Sequence, residues 1–261
     1  MTTHISRNRW LLASLLVVGL CQGAVRVVAE FTEELHESYP LAADGRLSLD
    51  EVNGTVRITA WDKNEVKLDA VKHGKNKEHF DAVKIEIDAK PGHIKVHTKY
   101  PDSKLWSWKR GDGSTSVDYT LSVPRGTRLD QISAVNGTVD IEGVRGSVHA
   151  STVNGTLKAR GLAGETSLSS VNGRVSAGFD RFENVKSVSM SAVNGSLELN
   201  LPDDANADLT ANTVNGGISG DVPVKKNWPI GREINTQLGK GGAKIKLSTV
   251  NGGMSIHLAK K

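Results

Sequence analysis

The sequence contains little of several residue types that often define a function. Among its 261 residues there is one cysteine, and aromatic residues make up only 5%. With Cys21 as the only thiol, an intramolecular disulfide is excluded and the fold must be stabilised by packing. The scarcity of aromatic rings predicts a thin core of Val, Leu, Ile and Ala. The longest apolar run, near the N-terminus, is shorter than the roughly 20 residues that a membrane-spanning helix needs.

That apolar run has the features of a secretory leader. Arg7 and Arg9 precede it, it extends from Trp10 to Cys21, and small residues follow as far as Ala29. This order is typical of a signal peptide, and we expect cleavage after Ala29. The mature chain is then a single domain of residues 30–261 with no transmembrane span, exported to the periplasm or the cell surface.

Two alternatives concern the end of this leader. Cleavage after Gly23 is the first. The second is a lipid anchor on Cys21, although Leu20 is bulkier than the small residue that such a site prefers.

The charge balance of the mature chain argues against nucleic acid as a partner. The leader contains three of the 33 Lys and Arg residues and none of the 29 acidic residues, so the mature chain has 30 basic residues against 29 acidic ones. Phosphate binding needs a basic face, which a nearly neutral mixed surface does not predict. The segment from Val222 to Lys261 is locally basic, with Glu233 as its only acidic residue, and we interpret it as a solvated end.

The main pattern is a Val-Asn-Gly motif that occurs seven times. From the second copy onward, successive asparagines are 18, 18, 22, 21 and 36 residues apart, and the last interval equals two 18-residue units. A fixed period near 20 residues indicates one repeated structural unit. Asn-Gly is also a strong turn signal, because both residues tolerate positive φ. The predicted turn residues are Asn53, Gly54, Asn136, Gly137, Asn154, Gly155, Asn172, Gly173, Asn194, Gly195, Asn215, Gly216, Asn251 and Gly252.

The residues around each motif predict a strand on either side. The fourth residue before each asparagine and the third after it are apolar in all seven copies, as in Leu168 and Val175 around Asn172. Many of the intervening positions are polar, and this alternation is typical of half-buried strands. A shift of one residue would bury charges in most copies, so the inward face is well defined.

Two all-β architectures fit this pattern. One is an antiparallel meander of Asn-Gly hairpins, and the other is a single-stranded β-solenoid with coils of 18 to 22 residues. The hairpin places the valine of each motif on the polar face, whereas stacked coils would align identical residues in apolar and amide ladders. The stretch from Glu30 to Leu129 is less regular, with strands around residues 83–87, 94–98 and 117–123 and room for a short helix between Lys72 and Ala82.

One polar loop is the best candidate for a binding site in the sequence. Trp106, Trp108, Lys109 and Arg110 lie between Tyr100 and Ser116, and this group suits sugar stacking or a protein contact. The alternative is that both rings fold back onto the domain. The Asp and Glu residues are scattered, without the paired arrangement of a glycosidase or lyase, so we predict no enzyme, no catalytic residue, no metal and no cofactor.

Three segments together resemble a known family. They are Leu47 to Trp61, Val117 to Leu129, and Ile245 to Ile256, each in the order and spacing of the bacterial putative-adhesin β-strand-repeat family, also called the toast-rack domain. The resemblance covers nearly the whole mature chain and implies a right-handed single-stranded β-helix at the bacterial envelope. It implies an adhesin-like module that contacts an envelope protein or glycan. The alternative is a scaffold that assembles envelope or stress-response complexes, with self-association possible.

Overall fold

The computed structural model describes residues 30–101, 115–222 and 232–259. These residues form 18 strands and one short helix, α1 (Lys77–Ala82). The strands in the first half of the chain are β1 (Phe31–Pro40), β2 (Arg46–Asn53), β3 (Val56–Trp61), β4 (Glu65–Gly74), β5 (Lys84–Lys90), β6 (His93–Lys99), β7 (Ser116–Pro124), β8 (Arg128–Glu142) and β9 (Val148–Leu162). Those in the second half are β10 (Thr166–Asn172), β11 (Val175–Phe179), β12 (Ser187–Asn194), β13 (Leu197–Pro202), β14 (Ala207–Asn215), β15 (Ile218–Gly220), β16 (Arg232–Leu238), β17 (Ala243–Asn251) and β18 (Met254–Ala259).

The strands form where apolar and polar residues alternate. In β10, Thr166, Leu168 and Ser170 are buried while the residues between them are partly exposed. Successive side chains of a strand point to opposite faces, so one face of each strand joins the core and the other meets solvent. Asn76 caps the N-terminus of α1, and its side chain accepts hydrogen bonds from the backbone N–H groups of Glu78 and His79.

The strands before the Asn-Gly motifs pair with one another in a first ladder. Its spatial order is β5, β6, β2, β8, β9, β10, β12, β17, β14, β16. Most of these pairs are parallel and in register, with each asparagine aligned with the asparagine of the neighbouring repeat. The outermost pairs, β5–β6 and β14–β16, are antiparallel.

The strands after the motifs form a second ladder. Its order is β1, β4, β7, β3, β8, β9, β11, β13, β18, β15, and β4 is antiparallel to both of its neighbours, β1 and β7. The long strands β8 and β9 run through their Asn-Gly motifs and belong to both ladders. They join the two ladders into one mixed sheet of 18 strands.

The expectation of a single-stranded right-handed β-helix with coils of 18 to 22 residues is wrong. The strands instead form one large open sheet that mixes parallel and antiparallel pairs. The hairpin alternative does not hold either, because β10 and β11, which flank Asn172, pair in parallel with the corresponding strands of other repeats. Periodicity predicts which residues of a strand point inward, but it does not determine a strand's neighbours or direction.

The order of the last repeats differs from the order along the chain. Asn194 is aligned with Asn251, and Asn251 with Asn215, so the seventh repeat lies between the fifth and the sixth. The 36-residue interval that matched two repeat units contains β16, which pairs antiparallel with β14. A strand that returns in this way carries no Val-Asn-Gly motif, so the repeat pattern could not reveal it.

The inward faces of both ladders contribute to a single hydrophobic cluster. Leu168 of the first ladder and Val175 of the second are at most 1% exposed. Most of the cluster is Val, Leu, Ile and Ala, as the low aromatic content predicts. Each fully buried Val, Leu or Ile side chain contributes roughly 1.5–3 kcal/mol relative to an exposed one.

Candidate functional site

The binding loop predicted from the sequence lies outside the described residues. This applies to Trp106, Trp108, Lys109 and Arg110, as it does to the leader. Their role in binding stays a prediction. The candidate site therefore consists of residues that the structure describes.

The seven Asn-Gly motifs lie side by side and form an amide ladder. Each asparagine Nδ2 donates to the Oδ1 of its neighbour over 2.8–3.0 Å, in the order Asn215, Asn251, Asn194, Asn172, Asn154, Asn136 and Asn53. The glycines stack equally closely. A Cβ atom added to Gly155 would lie 1.7 Å from the carbonyl oxygen of Gly137, so only glycine fits there. The amide hydrogen bonds and the close glycine contacts explain why asparagine and glycine recur in every repeat, without any role in binding.

A more suitable site lies at the N-terminal end of the molecule, where each ladder ends in an edge strand. β1 pairs with β4 and β5 pairs with β6, and in the described part of the chain neither has a strand partner on its other side. Such edges present unpaired backbone N–H and C=O groups that can bind another extended chain. The two edge strands border a common opening, which we call the end cleft.

The end cleft has a volume of about 300 Å³. Its lining consists of Glu33, Leu35, Glu37 and Tyr39 from β1, Lys72 from β4, and Val83, Lys84, Ile85 and Ile87 at and before β5. The four β1 residues occupy alternate positions and therefore share one face. Leu35, Tyr39, Ile85 and Ile87 pack against the core but are only partly buried, in contrast to inward residues elsewhere.

A buried ion pair forms part of the wall of the end cleft. The side chain of Lys72 is only 7% exposed, and its Nζ lies 2.6 Å from Oε2 of Glu33. The same Nζ donates to the carbonyl oxygen of Val83 over 3.3 Å and lies 4.2 Å from the ring centroid of Phe80. A buried ammonium group needs such partners because burial removes its hydration. Lys72 therefore ties β1, β4 and the start of β5 together around the opening.

A polar network crosses the interior near this end. Glu51 is 3% exposed, and its carboxylate accepts hydrogen bonds from the hydroxyl of Thr98, from the hydroxyl of Tyr100 at 2.5 Å and from the backbone N–H of Asn53 at 2.9 Å. The hydroxyls of Thr98 and Tyr119 are 2.6 Å apart. Burial raises the pKa of Glu51, and the three hydrogen bonds offset part of that effect. Burial, together with the adjacent Glu51, also raises the pKa of Tyr100.

Glu51 occupies a position that holds small residues in the other repeats. Its alignment partner is Ala134, which is followed in the neighbouring strands by Thr152, Ser170, Ala192, Thr249 and Thr213. The buried carboxylate is thus confined to the repeat nearest the end cleft. The Glu51 carboxylate links β2 to β6 through its hydrogen bond from Thr98. Thr98 in turn contacts β7.

These residues favour binding of an extended ligand. The end cleft combines two strand edges, four partly exposed apolar side chains and the carboxylates of Glu33 and Glu37. Over residues 30–101, 115–222 and 232–259 there is no group of three or more His, Cys, Asp or Glu side chains placed to hold a metal ion. Within the same ranges, no helix is both long and apolar enough to cross a bilayer.

Sequence reasoning missed the end cleft, although β1 contains a signal for it. Glu33 and Glu37 occupy the same face as Leu35 and Tyr39, and inward-pointing charges of this kind are typical of an edge strand. The partner wall, β5, is distant in sequence, so the opening itself could not be predicted.

Comparison with known proteins shows similarity in fold only. No protein-family model and no curated protein matches this chain. A putative cell adhesion protein from Clostridium sporogenes aligns with a TM-score of 0.51 and 15% identity, over 87% of this chain and 100% of that one. A putative adhesin from Bacteroides fragilis aligns with a TM-score of 0.36 and 15% identity, over 87% and 97% of the two chains. The first alignment shows a shared overall fold, and the second is too distant to add to it.

The resemblance stated from the sequence is supported only in its broader part. A putative cell adhesion protein shares the overall fold, and this likeness concerns the fold alone. Membership of the β-strand-repeat family itself stays a prediction, since no family model matches.

Proposed function

We propose that this chain is an exported, non-enzymatic, adhesin-like binding protein of the bacterial envelope, and that it binds its partner at the end cleft. The predicted leader supports export. The shared fold with a putative cell adhesion protein supports the adhesin-like class.

The observation that carries this proposal is the contrast between the end cleft and the rest of the core. Inward residues of the repeats, such as Leu157 and Leu199, are fully buried. Leu35 and Ile85 occupy the corresponding inward positions of β1 and β5 but remain partly exposed. An extended ligand in the cleft would cover them and could pair with the free strand edges.

Protein is the favoured partner over glycan. A strand edge recognises a polypeptide backbone, because N–H and C=O groups alternate on both chains. The end cleft would add pockets for alternate apolar side chains through Leu35, Tyr39 and Ile87. The carboxylate of Glu37 would favour a basic residue in the bound segment. Glycan remains the alternative if the Trp106 and Trp108 loop is the contact instead.

The proposal can be tested by binding the purified chain, residues 30–261, to bacterial envelope fractions with and without protease pretreatment. We expect binding that protease treatment abolishes. The double variant Leu35→Lys with Ile85→Lys places charges in the end cleft and should reduce capture at least tenfold. Thr120→Lys, on the exposed face of β7, is the matched control and should bind like the unaltered chain.

Two results of this experiment would contradict a protein partner at the end cleft. Binding that survives protease would indicate a glycan or lipid. Binding that is lost in Trp106→Ala with Trp108→Ala, but kept in the cleft variant, would assign the site to the loop predicted from the sequence.

A scaffold is the second candidate function. Its support is that the edge strands β1 and β5 at one end, and β16 at the other, have no further strand partner among the described residues. Free edges at opposite ends of a ladder could join successive proteins in an assembly. A scaffold of this kind would be indifferent to the Trp106 and Trp108 substitutions.

A further inference from the structure

A separate surface runs along the amide ladder on the outside of the sheet. It consists of three parallel rows, which we call the Ser-Val-Asn strip. The serine row is Ser133, Ser151, Ser169, Ser191 and Ser248, the valine row is Val135, Val153, Val171, Val193, Val250 and Val214, and the third row is the asparagine ladder beside them. The valines of this strip are 36–50% exposed and are the large hydrophobic side chains that stand out on the described surface.

The strip is regular because its strands are parallel and in register. Neighbouring strands are about 4.8 Å apart, so each row repeats a side chain at that spacing. The hydrogen bonds between asparagines hold successive repeats in alignment. The serine at the start of each unit and the valine two residues later point to the same side, since side chains of a strand alternate.

From Ser133 to Ser248 the strip contains no charged side chain in its three rows, and Asp50, which is aligned with Ser133 and accepts a hydrogen bond from it, ends the serine row. The residues flanking it are more varied, with Lys246 on one side and Lys158 and Glu198 on the other. A neutral surface of small side chains can face an identical surface without like-charge repulsion. This condition is unusual on a chain in which 24% of residues are charged.

We propose that the Ser-Val-Asn strip is a self-association surface and that its partner is the strip of a second copy of this chain. A second copy has the same spacing, so every repeat makes the same contact and no mismatch accumulates along the ladder. Identical rows of small side chains from two sheets can interdigitate and exclude water, as they do in steric zippers. The proposal does not rest on binding at the end cleft, which lies at the end of the molecule.

The size of the strip predicts a weak association. Six repeats at about 4.8 Å, with three residues across, give a footprint of roughly 250 Å² per copy. Stable dimers bury about 800 Å² per partner. The pair should therefore form with a dissociation constant in the micromolar to millimolar range, where export to a confined compartment or display in an array would favour it.

A two-fold symmetric pair makes a specific prediction about facing residues. The middle of the valine row lies between Val171 and Val193. If the two ladders run in opposite directions, Val171 of one copy faces Val193 of the other. If they run in the same direction, Val171 faces Val171. Both arrangements place Val171 at the centre of the contact.

The test is sedimentation equilibrium of the purified chain, residues 30–261, up to roughly millimolar concentration, at low and high salt. We expect reversible dimers whose dissociation constant changes little with salt, because the contact is uncharged. Val171→Asp should weaken the dimer at least tenfold, and Val193→Lys should do the same. An equimolar mixture of Val171→Asp with either Val193→Lys or Val171→Lys should restore association, and the better of the two mixtures reports the direction of the ladders.

Separate controls test whether the variants still fold and whether their effect is specific to the strip. Val171 and Val193 are 41% and 44% exposed, so their variants should keep the melting temperature and circular dichroism spectrum of the unaltered chain. Thr120→Lys lies away from the strip and should leave the dissociation constant unchanged. A chain that stays monomeric at every concentration overturns the proposal. So does a dimer that Val171→Asp does not weaken, or one that neither mixture restores.

Discussion

The regular repeats and the N-terminal end of the molecule are stabilised by different kinds of contact. In the repeats around Asn154 and Asn172, each strand has a parallel neighbour on both sides, and the inward residues are small and fully covered. At the N-terminal end, the pairs β1–β4, β4–β7 and β5–β6 are antiparallel, and the interior contains Lys72 and Glu51. Repetition therefore stabilises the middle, while individual polar contacts stabilise the end.

This difference shows where the molecule can tolerate change. A repeat depends on backbone fit, because each strand is the template for the next. The end depends on specific side chains such as Lys72, whose partners come from β1, from α1 and from the residue before β5. The first region should be sensitive to added volume, and the second to removed charge.

The largest expected effect is an added methyl group in the glycine stack. In Gly155→Ala, the new Cβ would lie 1.7 Å from the carbonyl oxygen of Gly137, and backbone cannot move away as a side chain can. We expect the free energy of unfolding to fall by about 3 kcal/mol or more. Denaturant unfolding measured by circular dichroism would give this value.

The matched control is Gly92→Ala, in the turn between β5 and β6. Gly92 has a φ of +78°, but a Cβ there would meet no atom within 4 Å. The cost should be only that of the left-handed backbone, about 1–2 kcal/mol. Equal losses for the two variants would contradict the idea that backbone fit dominates in the repeats.

The second effect concerns the ion pair at the end cleft. Glu33→Gln removes the carboxylate 2.6 Å from Lys72, which then remains buried against the Val83 carbonyl and the Phe80 ring without that charged partner. We expect a loss of about 1–3 kcal/mol in the free energy of unfolding. Glu34→Gln, on the outward face of β1, should change it by less than about 0.5 kcal/mol. Similar values for both variants would mean that the buried pair does not stabilise this end.

The third prediction compares a substitution in the middle of the amide ladder with one at its end. Asn172→Ala removes two hydrogen bonds between side chains, one to Asn154 and one from Asn194. Asn215 ends the ladder and makes only one such bond, to Asn251. We expect losses of about 1–2 kcal/mol for Asn172→Ala and about half that for Asn215→Ala, measured by thermal and denaturant unfolding. A larger loss at the end than in the middle would exclude the ladder as a source of stability.

The repeat pattern predicted local structure well. The alternation around Asn172 correctly indicated strands on both sides, with Leu168 and Val175 inward. These features depend on residues close in sequence, where side-chain direction has a fixed period. Aligned amides were expected only in the stacked-coil alternative, and the motifs alone did not decide between that alternative and hairpins.

The parts that failed depend on contacts between distant segments. Nothing in the sequence around Asn215 or Asn251 specifies that they are neighbours in reversed order, because all repeats offer the same edge. The approach of β1 to β5 that makes the end cleft is equally nonlocal. Glu51 fits the repeat pattern poorly, and that departure was the available sign that the first repeat differs from the others.

The last prediction uses Glu51 to test whether the polar N-terminal end makes the free energy of unfolding depend on pH. Burial raises the folded-state pKa of this carboxyl above its ordinary value of 4.5. As pH rises through 4.5, the unfolded chain loses this proton first, so the contribution of Glu51 to stability falls until the pH exceeds the folded pKa, and then stays constant. Glu51→Gln has no proton to lose. Its free energy of unfolding, relative to that of the unaltered chain, should therefore rise as the pH increases above 4.5 and level off above the folded-state pKa.

The same titration of Glu183→Gln provides the comparison, because Glu183 is exposed in the turn between β11 and β12. Its curve should run parallel to that of the unaltered chain over this range. Parallel curves for Glu51→Gln as well would show that the hydrogen bonds from Thr98, Tyr100 and Asn53 fully offset burial. In that case the polar network at the N-terminal end would be as insensitive to pH as the apolar repeats, and the distinction between the two regions would be one of geometry alone.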